Sequence, residues 1–70
     1  MDILKNKRME TGYSCRKMAM KLGISKTFYW QLENNKRRMS YEMAFKIASI
    51  FNLKPDELFY NYFRKKQIEN

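Results

Sequence analysis

The stretch LGISKTFYWQLENNKRR, Leu22 to Arg38, decides how the rest of the chain is read. It contains three consecutive aromatics (Phe28, Tyr29 and Trp30), four cations and a single acid, Glu33. Ser25 precedes a periodic run and suits the role of N-cap. A helix is therefore expected to begin at Lys26 and to end at Asn34–Asn35. Asn35 is the best non-glycine choice for the left-handed residue that closes a helix. At 3.6 residues per turn, Tyr29, Leu32 and Glu33 share one side. Lys26, Thr27, Trp30 and Gln31 fall on other sides, with Thr27 and Gln31 stacked at i, i+4. Tyr29 is then the one aromatic of the three that is expected inside.

Outward from this helix the same grammar repeats. On its N-terminal side only Gly23 and Ile24 stand between Leu22 and the cap Ser25, and so short a turn containing glycine is the signature of a helix-turn-helix. The preceding helix starts after the cap Ser14 and places Met18, Ala19 and Leu22 on one face. Together these elements occupy about residues 14–35. A first helix is expected over roughly 2–11, with Asp2 as N-cap and Gly12 as its stop. A fourth follows the cap Ser40, with Met43, Ala44, Ile47, Ala48 and Phe51 forming a continuous apolar stripe. Pro55 suits the first position of a fifth helix, about 55–68, and Asp56 and Glu57 suit its N-terminal dipole. Lys54 is a poor cap there.

Composition limits the class of protein. Seventy residues make one domain at most, so 1–70 is read as a single domain with a small core. Two glycines and one proline are too few for the turns of an all-β fold. The single cysteine, Cys15, excludes an intrachain disulfide, and the absence of histidine removes zinc fingers, so neither metal nor cofactor is expected. No apolar run approaches the ~18 residues of a membrane span. The N-terminus lacks a secretory pattern, and with a free thiol this fits the cytoplasm. The net charge of +8 is unevenly distributed: residues 12–41 carry seven cations against Glu33 alone, a net of +6. An excess of that kind in the middle of a chain is a footprint for a polyanion. On the third helix, Thr27 and Gln31 can hydrogen-bond base edges, and Lys26 can reach a guanine acceptor or a phosphate. Without histidine, a glycine-rich phosphate loop or a carboxylate pair, an enzyme is not expected.

Gly12-Tyr13-Ser14, Met18-Ala19, Lys21-Leu22-Gly23-Ile24-Ser25, Leu32-Glu33-Asn34-Asn35-Lys36, Ile47-Ala48 and Asp56-Glu57-Leu58-Phe59 together resemble the Cro/C1-type (XRE-like) helix-turn-helix domain. The resemblance covers roughly residues 3–59 and is carried by the joint order and spacing of these pieces. It implies an all-α, compact five-helix, lambda-repressor-like DNA-binding domain whose third helix enters the major groove. It implies base reading by Lys26, Thr27 and Gln31. It implies backbone or groove contacts from the start of helix 2 (Ser14, Arg16, Lys17) and from the end of helix 3 and the loop beyond (Asn34, Lys36, Arg37, Arg38). It also implies a structural ion pair between Arg8 and Glu33. The chain departs from the family pattern at Cys15, where glutamine is frequent, at Lys7, often apolar in relatives, and at Asn35, usually glycine. Phe28 and Trp30 stand where small or polar residues are common.

Several residues admit more than one reading. Phe28 and Trp30 suit a core, a contact with DNA sugars or thymine methyls, or a protein contact; exposed aromatics on a basic surface favour binding. The tail carries Phe59, Tyr60, Tyr62 and Phe63, which either complete the core or form a two-fold contact in a homodimer. Cys15 is more simply inert than a redox switch. The function these features point to is sequence-specific binding of double-stranded DNA by a small transcriptional regulator of the phage repressor/Cro type, without an attached sensor domain. The alternative is a protein-interaction module on the same fold, such as an antirepressor or antitoxin-like partner binder.

Overall fold

A computed structural model describes residues 2–60 of the chain. Four helices run in order: α1 (Asp2–Thr11), α2 (Cys15–Leu22), α3 (Lys26–Glu33) and α4 (Tyr41–Ile50). A fifth, α5, occupies residues 55–60 up to the last described position. The architecture is all-α, and no strand occurs among the described residues.

The helix starts follow from serine. Ser14, Ser25 and Ser40 hold extended backbone, and each side-chain oxygen accepts from the backbone N–H three residues on, in Lys17, Phe28 and Met43. Each cap satisfies a donor that the first turn leaves without a helical partner, an effect of about 1 kcal/mol. Two starts differ from expectation. Asp2 is itself the first helical residue, where its carboxylate lies in the first turn near the positive end of the dipole rather than capping it. Lys54 has no capping side chain, but its backbone N–H donates to Glu57 Oε1 at 2.9 Å, so α5 starts on the return half of a capping box, ahead of Pro55.

The helix ends obey one rule. After α1, α2, α3 and α4 stand Gly12, Gly23, Asn35 and Asn52, all at positive φ (59° to 83°). At each end two backbone N–H groups turn back to the last turn: Ile24 to Ala19 and Gly23 to Met20 after α2, Lys36 to Gln31 and Asn35 to Leu32 after α3. This is the Schellman arrangement, which requires a left-handed residue. At Gly23 (φ 70°) no β-carbon opposes that conformation. Asn35 and Asn52 adopt it with a side chain present, which asparagine tolerates best among the rest.

The core gathers Leu4 from α1, Met18 and Ala19 from α2, Tyr29 and Leu32 from α3, Ala44, Ile47 and Ala48 from α4, and Leu58 and Phe59 from α5, with Met39 from the loop before α4. Each large side chain removed from water contributes about 1.5–3 kcal/mol, a large fraction of what a domain this small can have in total. Phe59 is 1% exposed. It is therefore core and not available to a dimer contact, because α5 places it in the same buried cluster as the residues from the other helices. Tyr60, its neighbour, is exposed. Tyr62, Phe63 and the remainder of the expected 55–68 helix lie outside the described residues. α2 and α3 pack closely on one another, with smaller contacts of α1 on α3 and of α4 on α2. No described helix is long and apolar enough to cross a membrane.

Candidate nucleic-acid interface

α3 is divided lengthwise. Tyr29, Leu32 and Glu33 are buried, while Lys26, Thr27 and Trp30 are exposed and Gln31 is half-buried. The division follows directly from the 3.6-residue period applied to KTFYWQLE.

The inner side of α3 carries a buried charge. Arg8 Nε donates to Glu33 Oε2 at 2.8 Å and Arg8 Nη2 donates to Glu33 Oε1 at 2.9 Å, a bidentate fork between α1 and α3. The remaining guanidinium nitrogen, Nη1, donates to the Tyr13 carbonyl at 2.9 Å, in the turn before α2. One arginine thus ties α1, the α1–α2 turn and α3 together. The hydrogen bond to Glu33 raises Arg8 further above its already high value. Burial by itself would raise the Glu33 carboxyl, but the hydrogen bonds from Arg8 and then the proximity of Tyr29 outweigh it and hold the group below the usual carboxylate range. The Tyr29 hydroxyl oxygen is buried beside the pair without a hydrogen bond of good geometry. Burial first, and the neighbouring carboxylate second, push this phenol well above its ordinary value, so it stays protonated.

The outer side has different contents. Lys26, Thr27 and Trp30 line one shallow hollow on the surface of α3. Trp30 is 47% exposed, too open for a core residue. Phe28 is half-buried against the core, and the Arg37 guanidinium lies over its ring at 4.3 Å from the centroid. Phe28, expected among the groove contacts, is thus partly covered by the core and by Arg37, one position before the buried Tyr29. Arg37 Nε donates to Gln31 Oε1 at 3.0 Å, so Arg37 and Gln31 meet across the end of α3.

Around α3 the polar candidates divide into occupied and open. The Ser14 oxygen is engaged as the α2 cap, and the Asn34 side chain donates to the Trp30 carbonyl at 2.9 Å. Arg16, Lys17, Lys36 and Arg38 are exposed. Among the described residues the ion pairs are Arg8–Glu33, Lys7–Glu10 and Lys46–Glu42. None of the cations between residues 12 and 41 is paired with an acid among the described residues. Lys21 is a further exposed cation of this segment; its ammonium lies 5.2 Å from the centre of the Tyr13 ring. An aromatic eight residues before a lysine, across a cap, carries no local signal for such a contact. No cluster of described residues has the composition to hold a metal ion.

Two capped helices joined by a glycine turn, the second with its outer side polar and flanked by unpaired cations, match a known family model, described as a helix-turn-helix domain, over residues 3–62. The chain belongs to the helix-turn-helix family. No curated protein and no solved structure matches it. Membership points to a DNA-binding regulator in general terms, and such domains are typically not enzymes. The Cro/C1-type resemblance in the sequence is consistent with it.

Proposed function

We propose that this helix-turn-helix chain binds double-stranded DNA sequence-specifically, as a small transcriptional regulator of the phage repressor/Cro type acting in the cytoplasm, with no catalytic role. The observation that carries the reading is the division of α3. Its inner side is filled by Tyr29, Leu32 and Glu33, and its outer side offers Lys26, Thr27, Trp30 and Gln31 between unneutralised cations at both ends. With α3 in the major groove, Lys26, Thr27 and Gln31 read base edges and Trp30 meets the groove wall. Arg16, Lys17, Lys36 and Arg38 meet phosphates, with Ser14 and Asn34 close by through their helix ends. Occupying a promoter in this way blocks or recruits polymerase. A single module reads few base pairs, so two copies act as a homodimer on a near-palindromic site, with Tyr60, Tyr62 and Phe63 as the contact.

The test is salt dependence. About five phosphates neutralised per protomer give a log–log slope of affinity against salt near −4 to −5. A gel-shift or anisotropy titration on duplex DNA between low and physiological salt measures it. A flat profile would remove the DNA reading and favour a protein partner recognised through the exposed aromatics.

A further inference from the structure

Arg37 comes back from the loop beyond α3 to a side chain of α3 itself. Its Nε donates to Gln31 Oε1 at 3.0 Å, and its guanidinium stacks 4.3 Å from the centroid of Phe28. Phe28 and Gln31 are three residues apart and therefore neighbours on the helix surface. The Phe28 ring is held from below by the core. Arg37 thus rests on a fixed platform, and its fork is pre-oriented by stacking.

The chemistry of the contact fixes which way the Gln31 amide faces. A guanidinium has donors only, so the amide atom that meets it is the oxygen. The amide nitrogen is turned away from Arg37. Glutamine reads adenine edge-on with both atoms, accepting from N6 and donating to N7. Here one of the oxygen's two lone pairs is engaged and the oxygen is held toward the guanidinium, so what the pair offers outward is mainly donors: the Gln31 Nε2–H groups and the remaining N–H groups of Arg37. Guanine presents two acceptors, N7 and O6, and no donor on its major-groove edge; adenine and cytosine each present a donor amino group there.

We propose that Arg37 is a specificity-determining residue that fixes the Gln31 amide and joins it in a donor-rich surface selecting guanine. This rests on the DNA-binding reading above and replaces, for Arg37, the role of a sequence-blind phosphate contact. The Phe28 ring is part of the device because it sets the height and plane of the guanidinium.

The experiment is selection of bound duplexes from a random DNA pool by the full chain, with Gln31→Ala, Arg37→Lys and Phe28→Leu run beside the wild type. The wild type is expected to enrich a motif with guanine at the position that Gln31→Ala abolishes, a preference of about five- to 150-fold. Arg37→Lys keeps the charge and loses the planar fork. It is expected to lose guanine preference at that same position, about tenfold, and to leave the rest of the motif intact. Phe28→Leu is expected to do the same to a smaller extent. An Arg37→Lys chain that keeps the guanine preference, or that weakens every sequence equally, overturns the proposal. So does adenine at the Gln31-dependent position. A wild-type chain that enriches no sequence overturns the DNA-binding reading and this inference with it, which is a distinguishable result. Arg37 is exposed, so Arg37→Lys folds and decides the matter even where Phe28→Leu does not.

Discussion

Two arginines hold α3 from opposite sides. Arg8 reaches it from α1 and meets Glu33; Arg37 reaches it from the following loop and meets Gln31. Each lies close to an aromatic of α3, Arg8 near the buried Tyr29 and Arg37 over the half-buried Phe28. The guanidinium is the same group in both places, and its surroundings decide what it does. Arg8 and Glu33 side chains are 12% and 4% exposed, so two opposite charges face each other in a medium that screens them little. Every guanidinium nitrogen of Arg8 has an acceptor there, and the contact is structural. Arg37 meets a neutral amide in water, where a hydrogen bond contributes little net stability but still sets an orientation. One arginine fixes where the helix is, and the other fixes how one of its side chains faces.

The largest effect is expected from breaking the inner contact. Glu33→Gln leaves the guanidinium buried without a full charge partner, and Arg8→Met leaves the carboxylate so. Removing one side of a buried pair costs about 3–5 kcal/mol, and the partial exposure of Arg8 puts these variants near the low end. For a domain this small, ~3 kcal/mol lowers the melting temperature by more than ~10 °C. Arg37→Met, by contrast, is expected to stay within about 0.5 kcal/mol of the parent. Melting curves of the three single variants followed by circular dichroism check this, and equal losses would mean that the two arginines do not differ in kind.

pH gives a second test, because the inner contact contains Glu33 and Tyr29, whose proton affinities burial and pairing displace. The Glu33 carboxyl is held below its ordinary range in the folded chain. Between the ordinary and the lowered value the unfolded chain binds the proton and the folded chain does not, so stability falls as pH falls through that window. The Tyr29 phenol is shifted the other way, upward. Once pH rises past the ordinary phenol value, about 10, the unfolded chain ionises and the folded chain does not, so stability falls again. Denaturant midpoints against pH should show both limbs. Glu33→Gln is expected to flatten the acid limb and Tyr29→Phe the alkaline one, and Arg37→Met to change neither.

The difference between the two contacts also accounts for what the sequence could reveal. The buried side of α3 was readable from period alone, since Tyr29, Leu32 and Glu33 fall on one face. So were the three serine caps and the left-handed Gly12, Gly23 and Asn35, because caps and Schellman turns are decided within a few residues. Asn52 obeys the same rule and was not singled out, since it lies between Phe51 and Leu53, where an apolar run masks the stop. The partnership of Arg8 with Glu33 spans 25 residues and was suggested only through the family resemblance. The Gln31–Arg37 contact had no such guide. It depends on the loop doubling back after Asn35, and the closeness of Phe28 and Trp30 in sequence hides the roughly 200° that two helical steps put between them.

That doubling back yields the smallest effect, and it tests the comparison at its weakest point. α1 is a helix, and it presents Arg8 with no special backbone. Arg37 is carried by a loop aimed by Asn35 at φ 59°. Asn35→Ala keeps a β-carbon in the left-handed conformation and gives up the local side-chain bonding that eases it for asparagine, a cost of about 1 kcal/mol. Asn35→Gly removes the β-carbon strain but frees the unfolded chain, so the two terms offset to within a few tenths of a kcal/mol. Melting should therefore rank glycine near the parent and alanine below it. The order matters for Arg37 because the backbone bonds from Lys36 to Gln31 and from Asn35 to Leu32 exist only while residue 35 is left-handed. If alanine melts like the parent, the turn is not left-handed in solution, and Arg37 has no fixed path back to Gln31.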